Sequence, residues 1–176
     1  MKKNLALIAA AILMLFIGST GSYAAEPKIA YASLQKALNE GIAGTKAKET
    51  LKEEAKKFED ELNKKQEELK KLKDEFEKKK NAWNKETRDA KEKEFDAKKQ
   101  DFQKQYVKYG EELNKKKQET EQKIIDELRG IVEELAKKKG LTFVFEKSVG
   151  GLLYAPEDLD ITDEVIKEHN KRAKAK

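Results

Sequence analysis

The sequence contains no cysteine, two prolines, one tryptophan and one histidine among its 176 residues. Without cysteine there can be no disulfide bond and no thiolate ligand for a metal. The single histidine, His169, lies near the C-terminal tail, where we expect an exposed surface residue. The serines that follow the N-terminal segment, Ser33 and Ser148, have no triad context. Gly150 and Gly151 lack the lysine and the following helix of a phosphate loop. The sequence therefore predicts no catalytic residue, no metal site and no cofactor.

Charge dominates the composition. Charged residues make up 41% of the chain and hydrophobic residues 38%, against about 25% and 45–50% in an ordinary domain. Because burying an unpaired ion is very costly, this composition argues against a compact, single-core enzyme. It leaves a disordered polyelectrolyte or long helices with a thin apolar seam. The 39 basic and 34 acidic residues nearly balance, with a net charge of +5. This favours the helices, because disorder usually accompanies a lopsided charge.

The N-terminal segment, residues 1–24, is typical of an export signal. Lys2 and Lys3 precede an unbroken apolar run at residues 5–17, which is too short to span a bilayer as a mature helix. Ser22 and Ala24 occupy the positions of a signal peptidase site, so we expect cleavage after Ala24. An uncleaved anchor is the alternative. Loss of the two lysines would lower the net charge from +5 to +3, since 5 − 2 = 3.

Two segments flank the charged middle and predict the parts of a small β body. The first, residues 25–43, contains a strand at 28–32, a short helix capped by Ser33, and a bend at Gly41 and Gly44. The second, residues 140–170, contains a strand at 141–146, a turn at 148–151 and a return strand at 152–155 that would form a hairpin. A last helix capped near Asp160 and Thr162 follows, and residues 171–176 form a basic tail.

The middle segment, residues 44–139, predicts a helical hairpin. Roughly three in five of residues 52–123 are charged, as in a solvated helix. Apolar residues recur in alternating steps of three and four, as at the a and d positions of a coiled coil. The residues of this hairpin seam are Leu51, Ala55, Phe58, Leu62, Leu69, Phe95, Phe102, Tyr106, Tyr109 and Leu113.

The two halves of the seam match as an antiparallel pair. Facing residue numbers add up to 164 in every layer, so Phe58 should meet Tyr106 and the tip should lie near residues 81–84. Asn84 is a candidate N-cap for the returning helix, and Glu86 suits its first turn. One continuous helix is the alternative, but it would give no reason for a constant sum.

The same register predicts two weak layers in the hairpin. Lys65 would face Lys99, and Lys48 would face Lys116, at positions where apolar side chains would otherwise pack. These lysines would extend outward and leave the layers underpacked. We therefore expect a hairpin that can flex.

The returning helix is the longer one, and its end is the most apolar part of the mature chain, with Ile124, Leu128, Ile131 and Leu135. This end should pack on the β body. Strands from both ends of the chain should pair into one small sheet whose edges are open. Such a body is too small to be stable alone, so the sequence predicts an oligomeric β body from which α-helical hairpins project.

The tip of the hairpin is a candidate client-binding surface. Its lysines and arginine could attract acidic protein clients, and anionic lipid or lipopolysaccharide is a further candidate partner. Trp83 could contact apolar segments or simply close the hairpin, and the basic cluster could be only a solvated helix end. The candidate residues are Lys78, Lys79, Lys80, Trp83, Lys85 and Arg88.

The chain resembles the Skp/OmpH family of periplasmic chaperones over essentially its whole length. The resemblance is carried by the signal segment, the opening strand from Lys28, the charged hairpin, the strand from Leu141 and the closing segment at residues 160–167. The resemblance implies an α+β fold. It also implies a jellyfish-like homotrimer, with a β-barrel-like body and three hairpins around a cavity. It also implies periplasmic, ATP-independent holding of unfolded outer-membrane proteins.

Two rival functions remain to be compared with this one. A structural coiled-coil protein of the envelope would need the hairpin but not flexible layers, and it would bind a fixed partner. Nucleic-acid binding is suggested only by the basic isoelectric point of about 9.0. We reject it because the charges are evenly mixed and the chain carries an export signal.

Overall fold

The structure is a computed structural model that describes residues 26–175. The predicted signal peptide and its cleavage after Ala24 lie outside the described residues. This described part is mostly helical, with one small two-stranded sheet, and is therefore α+β. Its elements are β1 (Ile29–Ala32), α1 (Leu34–Glu40), α2 (Ile42–Lys79), α3 (Lys85–Lys139), β2 (Phe143–Glu146), a 3-10 turn (Glu157–Leu159) and α4 (Thr162–Ala175).

Helices α2 and α3 form the antiparallel hairpin. The chain turns back between the end of α2 and Asn84, so the alternative of one continuous helix is wrong. The Asn84 side chain accepts the backbone N–H of Thr87 at 2.8 Å, which confirms it as the N-cap, with Glu86 in the first turn. Helix α3 ends at Gly140, whose φ of 65° is the left-handed conformation that glycine adopts without strain.

Only one of the two glycines predicted to form the bend does so. Gly41 separates α1 from α2, whereas Gly44 lies inside α2. Gly44 is needed there because a Cβ atom would lie 1.7 Å from the backbone oxygen of Leu38. The end of α1 therefore crosses the start of α2 in direct backbone contact, and glycine permits this approach.

The sheet joins the two ends of the chain, as predicted, but the predicted β-hairpin is wrong. Strands β1 and β2 are parallel, with Ile29 opposite Phe143 and Ala32 opposite Glu146. Residues 152–155 form no strand. The Gly150 N–H bonds to the Glu146 oxygen at 3.0 Å, and this turn leads the chain away from the sheet. The second edge of β1 is covered by a bridge to Asp160, which leaves the outer edge of β2 open.

The core lies where the end of α3 meets the sheet, α1 and α4. Leu128 and Val165 are fully buried, and Ile131 is 1% exposed. They pack with apolar residues of β1 and α1, so the apolar end of α3 is held by the body as predicted. Residues of this cluster are Ala30, Ala32, Leu34, Ala37, Leu38, Ile124, Leu128, Ile131, Ile161 and Val165.

The environment of His169 differs from the prediction. It is 2% exposed rather than on the surface, because α4 lies across α3 and turns this side chain inward. Its Nε2 atom lies 3.2 Å from the Glu127 carboxylate. His169 is therefore part of the packing between α4 and the hairpin.

Candidate functional site

The hairpin seam lies between α2 and α3, in a register different from the predicted one. Phe58 stacks on Tyr109, with ring centroids 4.0 Å apart and planes 1° apart. Tyr109 is three positions beyond the predicted partner, Tyr106. This shift turns α3 so that Gln105 is half-buried at the seam, while Tyr106 is 64% exposed. The assignment of Tyr106 to the seam is therefore wrong. The half-buried members of the predicted seam are Leu51, Ala55, Phe58, Leu62, Leu69, Phe95, Phe102, Tyr109 and Leu113.

The predicted layers of facing lysines are also wrong. Lys65 pairs with Asp101 at 2.7 Å rather than with Lys99, which is exposed. Lys116 donates to the Glu54 carboxylate at 2.6 Å. The physical reason is electrostatic, because the observed register brings opposite charges together where the predicted one opposed like charges.

Lys48, the fourth lysine of those layers, also has a polar partner. Its Nζ atom donates to the Asn39 side chain at 3.0 Å. A further bridge, from Lys98 to Glu68 at 3.1 Å, links the two helices. The arms are therefore held by a thin apolar seam flanked by cross-helix ion pairs.

Tyr109 gives the middle of the seam a polar contact as well as a stacked ring. Its hydroxyl donates to the Glu61 carboxylate. This hydrogen bond, with burial and the negative charge of Glu61, raises the pKa of the Tyr109 hydroxyl. The tyrosine thus remains neutral and bonded at physiological pH.

The tip is closed by aromatic packing. Trp83 is half-buried, and its ring meets that of Phe76 edge-on with centroids 5.9 Å apart. The geometry matches the alternative in which Trp83 closes the hairpin, while part of the ring still faces solvent. Phe76 comes from the end of α2, so this contact joins the outgoing arm to the turn.

The basic residues of the tip fall into two groups. Lys79 and Lys80 pair with Glu75 and Glu77 at 2.9 and 2.6 Å. Hydrogen bonding to these lysines lowers the pKa of both carboxyl groups. The other three, Lys78, Lys85 and Arg88, are exposed on the described surface without an ion-pair partner. These three are available to an external anion.

Helix α4 attaches the hairpin to the body. The Asn170 side chain accepts the N–H of Ile42 at 2.8 Å and so caps the start of α2. Arg172 makes a bidentate hydrogen-bonded ion pair with Glu134 of α3, which lowers the pKa of the Glu134 carboxyl group. The root of both arms is therefore fixed by one helix.

The body exposes apolar side chains that a single chain does not cover. Val149, Leu153 and Tyr154 are 87%, 99% and 84% exposed. They follow β2, whose outer edge is open, and the neighbouring Phe143 and Phe145 are about half exposed. An exposed apolar group of this kind beside an open strand edge is typical of a surface that pairs with another chain.

The described residues contain neither a metal-binding cluster nor a membrane-spanning helix. Across residues 26–175, no three His, Asp or Glu side chains are placed to hold a metal ion. In the same range, no helix is both long and apolar enough to cross a membrane.

Sequence reasoning missed two features of these surfaces. The exposure of residues 149–154 was not predicted, because an alternating apolar segment after a Gly-Gly pair is typical of a paired strand. The exposure of Tyr106 and Val107 was not predicted, because Tyr106 fits the heptad spacing as well as Gln105 does. The polar partners across the seam, such as Lys65–Asp101 and Lys98–Glu68, were the signal that could have indicated the observed register.

Comparisons with known proteins agree on one family. The family model described as "Outer membrane protein (OmpH-like)" matches residues 28–168. No protein with a curated description matches the chain significantly in sequence. A crystal structure of a protein described as "OmpH-like", from Caulobacter crescentus CB15, has a TM-score of 0.78 and 17% sequence identity. The alignment covers 83% of this chain and 85% of that one. The fold is shared along nearly the whole of both chains, and this protein belongs to the OmpH-like family.

Proposed function

We propose that the protein is a periplasmic, ATP-independent holdase chaperone. In this proposal, three copies assemble through their β bodies, and unfolded outer-membrane proteins are held in the cavity between the three helical hairpins. Membership of the OmpH-like family and the fold shared with an OmpH-like chaperone support this role. The signal-like segment at residues 1–24 supports the periplasmic location.

The observation that carries the proposal is the incomplete body. The two-stranded sheet has one open edge, and Leu153 and Tyr154 are exposed, so the body of one chain leaves apolar surface that another copy would cover. Association of several copies would cover each open β2 edge with residues of a neighbouring copy and bury these side chains. It would also place several arms around one axis, which forms a cavity without any hinge or nucleotide site.

The arms suit the weak holding of unfolded chains. Their surface carries mixed charge, which keeps them soluble while they face an aggregation-prone client. Release of the client then requires no ATP, because each contact between arm and client is small and exposed to solvent. The chain itself is not an enzyme in this proposal, since its function is to bind.

The basic tip adds an electrostatic attraction. Lys78, Lys85 and Arg88 could bind acidic stretches of a client or anionic lipid and lipopolysaccharide. Because exposed charges are screened over about 10 Å at 0.1 M salt, client capture should weaken between low and physiological salt. A flat response would remove this electrostatic component and leave the holdase proposal in place.

The proposal is tested by dilution of a urea-unfolded outer-membrane β-barrel protein into buffer with the purified chain. Light scattering should fall as the chain is added, equally with and without ATP. A matched control variant, Leu153→Asp with Tyr154→Asp, should lose both the oligomer and the suppression. Undiminished scattering with the unaltered protein would refute the proposal.

A structural coiled-coil protein of the envelope is the second candidate. The cross-helix bridges Lys65–Asp101 and Lys116–Glu54 favour it, because they stiffen the arms. A spacer would bind one fixed partner, whereas a holdase would protect several unrelated β-barrel proteins. Suppression of aggregation for only one of a panel of such proteins would favour the spacer.

A further inference from the structure

The middle of α3 carries an exposed apolar surface that the seam does not use. Tyr106 is 64% exposed and Val107 is 57% exposed. In the described part of the chain, the other large apolar side chains with comparable exposure belong to the body or to the start of α2 at Ile42. On the arms themselves, Tyr106 and Val107 are thus isolated apolar residues among charged ones.

These two residues belong to a longer stripe along the outside of α3. The stripe follows helical steps of three and four, so its members share one face. All of its members are exposed, and none carries a carboxylate, although the rest of the arm is rich in them. We call this the mid-arm stripe, and it consists of Lys99, Gln103, Tyr106, Val107, Gly110, Asn114 and Lys117.

The charge of the mid-arm stripe defines its complement. Lys99 and Lys117 stand at its two ends, and neither has an ion-pair partner within the described residues. They are 18 positions apart, which at 1.5 Å per residue is about 27 Å. An extended chain covers that distance in about eight residues at 3.3 Å each. A segment with an apolar centre and acidic ends about eight residues apart would match the stripe.

Gly110 is the second observation that points to a bound chain. It lies inside a long helix, where glycine is less favourable than alanine. A Cβ atom at Gly110 would meet nothing within 4 Å, so packing within the chain does not require glycine. It leaves the backbone bare beside Tyr106 and Val107, where a second backbone can approach closely.

We propose that the mid-arm stripe is a binding site for extended, unfolded polypeptide with aromatic or aliphatic residues between acidic ends. This inference rests on the proposed holdase function and adds the site and the sequence preference of its client. The apolar side chains contact the centre of the client segment, and the two lysines fix its ends. Three arms would offer three such sites to one client.

The test uses the full mature chain and two fluorescein-labelled peptides. Both have alternating aromatic and threonine residues over about eight positions, and the ends are acidic in one and lysine in the other. The acidic peptide should bind more tightly. Tyr106→Gln with Val107→Gln should raise the Kd of the acidic peptide about tenfold, because the apolar surface that the peptide buries on binding is lost. The control Tyr106→Leu with Val107→Leu should bind like the unaltered protein.

The charge contribution is tested separately with Lys99→Gln and Lys117→Gln. This variant should abolish the preference for the acidic peptide while binding to the common apolar centre persists. Equal Kd values for all variants would overturn the proposal. So would a change in oligomer mass caused by Tyr106→Gln with Val107→Gln, since the stripe would then be a contact between arms of two copies.

The aggregation assay distinguishes a failure of the mid-arm stripe from a failure of the proposed holdase function. If the unaltered protein does not suppress aggregation of a urea-unfolded β-barrel protein, the holdase proposal fails. If it does so, and the variant with glutamine at both apolar positions protects equally well, only the mid-arm stripe is refuted. All variants change exposed residues, so the helical circular dichroism signal should be retained in each.

Discussion

Replacement of Leu128 should separate the stability of the body from that of the arms. Leu128 is fully buried where α3 meets the sheet, α1 and α4, in a cluster of ten buried apolar residues. Leu→Ala at such a site removes the buried side chain and leaves a cavity, at a cost of about 3–4 kcal/mol. Whole domains are stable by only about 5–15 kcal/mol, so Leu128→Ala should remove a large part of the stability.

The matched control is Leu62→Ala, in the middle of the hairpin seam. Leu62 is half-buried between two helices that can close on the gap, so its loss should cost about 1–2 kcal/mol. Urea unfolding at fixed protein concentration, followed by circular dichroism, measures both. With a slope of about 2 kcal/mol/M, the midpoint should fall by about 1.5–2 M for Leu128→Ala and by about 0.5–1 M for Leu62→Ala. Equal shifts would refute the division into a stabilising body and dependent arms.

Three further predictions concern the hairpin. The native chain has no cysteine, so a pair of introduced cysteines can report the register. Phe58→Cys with Tyr109→Cys should form an intramolecular disulfide on mild oxidation, whereas Phe58→Cys with Tyr106→Cys should not. The opposite result on a non-reducing gel would support the register predicted from the sequence. Asn84→Ala should lower the free energy of unfolding by about 1 kcal/mol through loss of the N-cap, while an unchanged urea midpoint would show that the cap is dispensable. The raised pKa of Tyr109 means that its bond to Glu61 adds full stability below the ordinary tyrosine pKa and loses it as pH rises through the raised value. The difference in 295 nm absorbance between the unaltered protein and Tyr109→Phe should therefore titrate above pH 10, and a midpoint at or below 10 would contradict the hydrogen bond.

Much of this fold follows from local patterns in the sequence. The long run without proline, the N-cap at Asn84 and the left-handed Gly140 each depend on a few adjacent residues, and each is found in the structure. Pairing of the two chain ends was also predictable, because an apolar strand at each end has no other partner. These features need no knowledge of how distant side chains meet.

The register of the hairpin does not follow from local patterns. Apolar spacing allowed two alignments that differ by three residues, and a constant sum of residue numbers cannot choose between neighbouring turns. The choice depends on which charges face each other, as Lys65 with Asp101 and Lys98 with Glu68. Those contacts flank the seam and are invisible to a count of apolar positions.

The body shows a second limit. An alternating segment at 152–155 has the composition of a strand, but a strand needs a partner. The parallel pairing of β2 with β1 and the turn at Gly150 leave that segment unpaired in one chain. Likewise, the burial of His169 depends on how α4 crosses α3, which the sequence of α4 alone does not specify.

In the proposed function, several copies of this chain hold one unfolded client between their arms. This is tested most directly by the mass of the complex with a urea-unfolded outer-membrane β-barrel protein, measured by sedimentation without nucleotide. We expect a complex of three chains with one client. Absence of a complex, or a complex of one chain with one client, would contradict it.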